Sequence, residues 1–213
     1  MGFERRSIDY RGAERGYQVY VPEKVEPPYP TIVFLHGMGE SGVDGEVQAE
    51  VGLGEAVRKN PDEWPFLILF PQKEDPGVLW PGYRGLVEEL MRRTANEFQV
   101  DRSRCYLTGL SQGGNGTLTL ARSLPWEFAA VAPICGWADP AQAAQDLMET
   151  PTWLFHGEAD QAVPVESSIA ITRWMERYGA PVKLTTYPNV GHDSWTRAYQ
   201  QELLGDWFLK HQI

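Results

Sequence analysis

Long apolar runs that do not alternate with polar residues recur along the chain, and amphipathic stretches separate them. Residues 31–36, closed by Gly37, and 65–70, closed by Pro71, are such runs, and they predict strands buried on both faces. Residues 105–110, 128–135, 152–156 and 181–188 predict four more. Residues 3–21 alternate loosely and break at Arg11-Gly12-Ala13, which predicts an antiparallel hairpin ending in a strand over 17–21, followed by a Pro-rich loop over 22–30. Between the runs lie helical patterns. One covers 51–59, and a clearer one covers 86–98 with Leu86, Leu90, Met91 and Phe98 on one side. Another starts at Gln112 and carries Leu118, Leu120, Ala121 and Leu124; the last three cover 141–148, 169–178 and 194–211.

Strands that alternate with helices imply an α/β architecture: a mostly parallel central sheet with helices on both faces and an N-terminal antiparallel hairpin at its edge. At 213 residues and 24.0 kDa the chain supports one sizeable core, so residues 1–213 are expected to form a single domain. In such sheets the reactive loops gather at the carboxyl ends of the strands.

A net charge of -10 and a pI near 4.9 give the long-range field the wrong sign for nucleic acid or an anionic membrane. Charges occupy the N-terminal positions where a signal peptide needs an apolar segment, and no stretch has the length of a membrane span. The expectation is a soluble, cytoplasmic protein with a small-molecule partner and no nucleic-acid or membrane partner; oligomeric state is not encoded in the pattern. Cys105 and Cys135 lie in separate apolar runs and are expected as reduced core residues, with a bridge left open should the two strands be neighbours. No H-E-x-x-H or paired-cysteine spacing suggests a metal. Residues 37–42 match G-x-G-x-x-G after a strand, but no apolar helix opens there and no acid ends the run over 65–70, so no dinucleotide or other cofactor is expected.

The chemistry concentrates at Gly109-Leu110-Ser111-Gln112-Gly113, a G-x-S-x-G placed between a predicted strand and a predicted helix. A strand that turns into a helix through one residue strains that residue and needs small flanking groups, and it holds the serine hydroxyl out at the sheet edge. The Gln112 N–H then sits at a helix N-terminus, where unpaired donors favour a developing oxyanion.

Other strand ends carry His36-Gly37-Met38-Gly39-Glu40, His156-Gly157-Glu158-Ala159-Asp160 and Gly191-His192-Asp193. The order serine, acid, histidine is the one associated with the strand-turn-helix serine. Together, H-G-M-G-E, G-L-S-Q-G-G, H-G-E-A-D-Q-A-V-P and G-H resemble the α/β-hydrolase superfamily, and within it the small lidless carboxylesterases of the phospholipase/carboxylesterase or dienelactone-hydrolase-like type. The resemblance runs from Thr31 to the C-terminus. It implies an α/β-hydrolase fold, and the 16 residues between Cys135 and Thr152 leave no room for a cap domain.

Chemistry assigns roles to these residues. Ser111 needs a base, and histidine, with an unperturbed pKa of about 6.5, suits that work. His192 is the candidate base and Asp160 the acid that would orient it, with Glu158 and Asp139 held open as substitutes; Asp193, adjacent to His192, is badly placed. His36 and His156 read as buried structural histidines. By resemblance to H-G-x-G, the Met38 N–H joins that of Gln112 as an oxyanion donor. Met38, Trp80, Tyr83, Trp137 and Trp195 lie in or beside loops near this edge and are candidate substrate contacts. The expected activity is that of a serine carboxylesterase on short-chain acyl esters. Alternatives on the same triad are a thioesterase, a feruloyl or acetyl-xylan esterase or a small peptidase; outside enzymes, the alternative is a binding module that kept the scaffold.

Overall fold

The computed structural model describes residues 2–213; Met1 lies outside them. The chain opens with a hairpin, β1 (Gly2–Tyr10) and β2 (Ala13–Val21), paired in antiparallel register from Gly2↔Val21 to Tyr10↔Ala13. Arg11 and Gly12 both take positive φ, 56° and 79°, as a two-residue turn matched to the twist of the strands requires. The remaining strands are β3 (Tyr29–Leu35), β4 (Leu67–Phe70), β5 (Val100–Leu110), β6 (Ala130–Ile134), β7 (Thr152–Gly157) and β8 (Val182–Tyr187). They form one eight-stranded sheet in the order β1-β2-β4-β3-β5-β6-β7-β8. From β4 to β8 every pairing is parallel, and β2 joins β4 antiparallel through Gln18↔Phe70.

Each central strand splits its apolar residues between two core layers. Val33, Leu35, Leu67, Leu69, Cys105 and Leu107 face one layer, while Ile32, Phe34, Ile68, Phe70 and Tyr106 face the other. The first layer is covered by α2 (Arg84–Glu97), α3 (Gln112–Leu120), α4 (Pro140–Asp146) and α5 (Glu166–Arg177). The second is covered by α1 (Leu53–Lys59), α6 (Trp195–Gln201) and α7 (Leu204–Leu209). Because β3 and β4 are buried along their whole length, their runs show no alternation even though the side chains alternate in space.

Two expectations are corrected. The single helix expected over 194–211 is two helices, broken at Leu203, which is left-handed (φ 50°) and 66% exposed. At about 100° per residue, an unbroken helix would turn Leu204 well away from the face that buries Ala198 and Tyr199. The break brings Leu204 and Phe208 back into the core and lets α7 approach the backbone at Glu63 so closely that a Cβ on Gly205 would lie 2.5 Å from the Glu63 carbonyl. The strand expected to start at Cys105 starts at Val100; its polar first half meets β3 across an irregularity between Tyr29 and Thr31. Cys105 and Cys135 are free, although β5 and β6 are neighbours.

The connection between β6 and β7 holds only α4, so the edge bearing the strand ends has no cap. Among the described residues no helix is long and apolar enough to cross a membrane.

Candidate active site

Ser111 is the single residue between the end of β5 and the start of α3, with φ 55° and ψ -114°. Its own backbone anchors the turn: its N–H donates to Ile134 O at 2.9 Å, and its carbonyl accepts from Asn115 N at 3.0 Å. The flanking glycines are steric necessities. A Cβ on Gly109 would lie 2.5 Å from Leu35 O, and one on Gly113 would lie 1.8 Å from the same oxygen. Conversely, the approach of β3 to α3 at backbone distance is what turns the serine outward, and the hydroxyl meets a histidine there.

His192, on the loop after β8, places Nε2 2.9 Å from Ser111 Oγ and Nδ1 2.7 Å from Asp160 Oδ2. Asp160 stands on the loop after β7. That loop and the His192 loop are joined by Glu158 N to Tyr187 O (3.0 Å) and Ala159 N to Val190 O (2.8 Å). Their contact is tight enough that a Cβ on Gly157 would lie 2.2 Å from Gly191 O.

The Asp160 carboxylate is held from several sides. Oδ1 accepts the N–H groups of Ala162 and Val163, both at 2.9 Å, and His156 Nε2 approaches Oδ2 at 3.3 Å. Burial raises its pKa, but the hydrogen bonds from His192, Val163 and Ala162 outweigh burial and set it below the usual carboxylate range. Asp160 therefore stays ionised at neutral pH and fixes the proton of the neutral imidazole on Nδ1, which leaves Nε2 as the acceptor facing Ser111.

The substitute acids, Asp139 and Glu158, are engaged elsewhere, as is Asp193, the acid judged badly placed. Asp139 caps α4 by accepting Gln142 N at 2.8 Å, Asp193 accepts Thr196 N at 3.0 Å, and Glu158 accepts the Thr186 hydroxyl at 2.8 Å. His36 and His156 are structural, as expected. His36 donates from Nδ1 to Gly37 O and accepts Lys73 N on Nε2 at 3.1 Å, and burial lowers its pKa to about 3, so it is neutral. His156 bridges Val163 O and the Ser168 hydroxyl.

The loop after β3 lies directly against the nucleophile: the Cβ position of Gly37 is 2.8 Å from Leu110 Cδ1 and 3.5 Å from Ser111 Cβ. Met38 follows at the rim and is 58% exposed. The Gln112 N–H is at the start of α3, where intrahelical acceptors are missing. Of the aromatic candidates, Trp195 stands edge-on to His192 at 5.4 Å, and Trp137 is half-buried in the loop that receives Asn115 Nδ2 on its carbonyl at 2.8 Å. Tyr83 is half-buried and accepts Asp75 N on its hydroxyl at 3.0 Å. Trp80 is a correction. It is fully buried in the first core layer, donates its indole N–H to His36 O at 2.9 Å, and presents no surface to a substrate.

Three neighbours of the site have no signature in sequence. Cys135, with φ 40°, brings its sulfur within 4.8 Å of the Asp160 and His192 donor atoms. Burial pushes its thiol up to about 12, so it is neutral. His192 Nδ1 and Asp160 Oδ2 are engaged with each other at 2.7 Å. Gln72 and Lys73, after β4, bond the loop that carries Met38. Polar residues just past a strand are common, and only the folded contacts single these out.

Residues 81–203 match the family model described as phospholipase/carboxylesterase. The chain is 25% identical to acyl-protein thioesterase 1 of Gibberella zeae over 204 residues, covering 77% of this chain and 83% of that protein. It is also 25% identical to the bifunctional acetylxylan esterase/xylanase XynS20E of Neocallimastix patriciarum over 85% of this chain, which spans 28% of that protein. A crystal structure of a thermostable esterase superposes with a TM-score of 0.87 at 29% identity; the match covers 99% of this chain and 63% of that one, so this chain spans less than two thirds of its length. The matched region takes in Ser111, Asp160 and His192 together with most of the parallel sheet, and the chain belongs to the phospholipase/carboxylesterase family of α/β-hydrolases, enzymes of the esterase and thioesterase type.

Proposed function

We propose that the protein is a serine carboxylesterase acting on short-chain, uncharged acyl esters through an acyl-enzyme on Ser111. The observation that carries this reading is the connected line from Ser111 Oγ through the His192 ring to Asp160, at 2.9 and 2.7 Å. Ser111 Oγ attacks the ester carbonyl carbon while His192 Nε2 takes its proton; the tetrahedral oxyanion accepts hydrogen bonds from Gln112 N–H and Met38 N–H. Collapse expels the alcohol, which leaves with the proton from His192. Water then loses a proton to His192, attacks the acyl carbon, and frees the acid and Ser111.

Substrate size follows from the missing cap. An acyl chain gains about 0.8 kcal/mol for each CH₂ that it buries, and an open rim lets only the first few carbons gain it. Charge also follows from the loops. Those at the carboxyl edge carry Glu40, Asp44, Glu46, Glu74, Asp75, Asp139, Glu158, Asp160 and Asp193, against Lys73 as their basic residue. Arg5 and Arg15 reach in to pair with Glu46 and Glu74, and the balance stays negative. Anionic acyl donors and anionic lipid surfaces are disfavoured there.

Replacement Ser111→Ala should lower hydrolysis of p-nitrophenyl acetate by on the order of a thousandfold or more and abolish labelling by a fluorophosphonate probe. Wild-type hydrolysis by that variant would overturn the assignment. Among p-nitrophenyl acetate, butyrate and palmitate, a palmitate optimum would overturn the short-chain reading. A thioesterase is the second reading, favoured by the likeness to an acyl-protein thioesterase. Rates on matched acetyl oxoesters and thioesters of neutral alcohols and thiols separate the two.

A further inference from the structure

Lys73 is fully buried, with none of its surface exposed. A buried ammonium is expensive, and an apolar side chain of similar length would cost less unless the charge has work to do. Three of its four hydrogen bonds reach one segment, residues 36–45, and the fourth holds its own loop at Asp75. Nζ donates to Ser41 Oγ at 3.0 Å and to Asp75 O at 2.8 Å. Its backbone N–H donates to His36 Nε2 at 3.1 Å, and its carbonyl accepts Gly42 N at 2.9 Å. Gln72 extends the strap, donating to Glu40 O at 3.1 Å and accepting Gly45 N at 2.7 Å. The loop from His36 to Gly45 is thus tied at both ends and in the middle to residues 72 and 73, and it carries Met38 at its tip.

The same loop holds an awkward acid. Glu40 Oε2 is buried without a hydrogen-bond partner, 3.1 Å from the Cβ position of Gly37, which also lies 3.5 Å from Ser111 Cβ. A carboxylate there would repel an oxyanion forming on a substrate bound to Ser111. Burial raises the Glu40 pKa, opposed by the nearby N–H groups of Gly37 and Glu40 and then by Lys73; burial lowers that of Lys73, opposed by Asp75 first and by Glu40 after it.

We propose that Lys73 is a positioning residue for ester hydrolysis, its buried ammonium clamping the His36–Gly45 loop at Ser41 so that the Met38 N–H faces the oxyanion, and offsetting Glu40 on the same loop. This rests on the triad reading above. The interaction matters in the transition state, where the oxyanion exists, and little in the ground state.

The test compares wild type with Lys73→Met and with the double variant Lys73→Met/Glu40→Gln, by kcat and KM on p-nitrophenyl acetate and by inhibition with a trifluoromethyl ketone, which forms a tetrahedral adduct. Losing one aligned oxyanion donor costs about 10²-fold in kcat. Lys73→Met should show a loss of that order with KM within about threefold, matched by weaker ketone binding, and Glu40→Gln should restore about tenfold in its background. Should Lys73→Met fail to fold, Ser41→Ala removes one clamp contact, and a severalfold fall in kcat at unchanged melting temperature is expected. Wild-type kcat and ketone affinity in folded Lys73→Met, or in Ser41→Ala where Lys73→Met is unfolded, overturns the proposal. An equal change of kcat and ketone affinity without recovery by Glu40→Gln removes the charge-offsetting part. Activity in Ser111→Ala would sink the triad reading, whereas an inactive Ser111→Ala beside a fully active Lys73→Met sinks this proposal alone.

Discussion

Replacement of Gly113 by alanine tests whether the serine turn is set by backbone approach. The added methyl would lie 1.8 Å from Leu35 O, 2.5 Å from Leu35 C and 2.9 Å from His36 O, all main-chain atoms that no rotamer can move. Restoring even a 3.0 Å separation from Leu35 O requires α3 and β3 to part by at least about 1.2 Å, the difference between 3.0 and 1.8 Å. Overpacking of this kind costs about 1–3 kcal/mol, and in a chain of this size each kcal/mol lowers the melting temperature by roughly 2–4 °C. The functional effect should be larger in proportion. The two segments that part are the one bearing Ser111 and Gln112 N–H and the one leading to Met38 N–H, and a misplacement of about 1 Å typically costs on the order of 10² in rate. Gly113→Ala should therefore melt roughly 2–12 °C lower and lose about 10²-fold in kcat/KM on p-nitrophenyl acetate. Gly191→Ala, where nothing lies within 4 Å of the new methyl, is the control and should stay near wild type. Wild-type melting and kcat/KM in Gly113→Ala would refute the steric account of the turn.

Asp160→Asn should keep the Ala162 and Val163 contacts through its amide oxygen but present an N–H to His192 Nδ1, moving the imidazole proton to Nε2; by analogy with other triads kcat should fall about 10⁴-fold, and a loss under tenfold would remove Asp160 from the relay. Folding holds His36 neutral with a pKa of about 3, so its contribution is complete above the unfolded value near 6.5 and is lost as pH falls toward 3. Between pH 7 and 5 that amounts to about 2 kcal/mol, and urea midpoints of His36→Gln should show a shallower pH dependence than wild type; parallel curves would refute it. A cationic choline ester should be hydrolysed with higher kcat/KM than a mono-succinate ester of a neutral alcohol in dilute buffer, with the ratio falling toward its uncharged baseline in 1 M salt, where the Debye length is about 3 Å. A ratio insensitive to salt would show that the acidic loops do not act on the substrate.

Much of this fold was legible because its strands are buried on both faces. Residues 31–36 and 65–70 need no periodicity to announce themselves, and β3 and β4 follow with only their ends adjusted. Legibility failed where the chain's own periodicity was interrupted for tertiary reasons. In residues 194–211 the local pattern favours one helix, and only the competing claims of Tyr199 and of Leu204 with Phe208 on the same core layer require the break at Leu203. Residues 101–104 are polar, and they belong to β5 because β3 pairs on either side of them, Tyr29 with Val100 and Thr31 with Cys105.

The site divides along the same line. Ser111, Asp160 and His192 were recognisable because each occupies a loop just beyond a strand end, and a parallel sheet delivers all such ends to one rim whatever their separation in sequence. Trp80 shares that address, yet its indole N–H had an acceptor at His36 O within the core, and a large ring with both its apolar body and its one donor satisfied there has no reason to face solvent. Lys73 shows the converse. A lysine after a strand ordinarily extends into water, so its type argued for the surface, while the hydroxyl of Ser41 and the carbonyl of Asp75 make burial tolerable. Residue type and position along the sheet thus identify groups whose partners are fixed by topology; groups whose partners are supplied by loop conformation become visible only when the loops are in place.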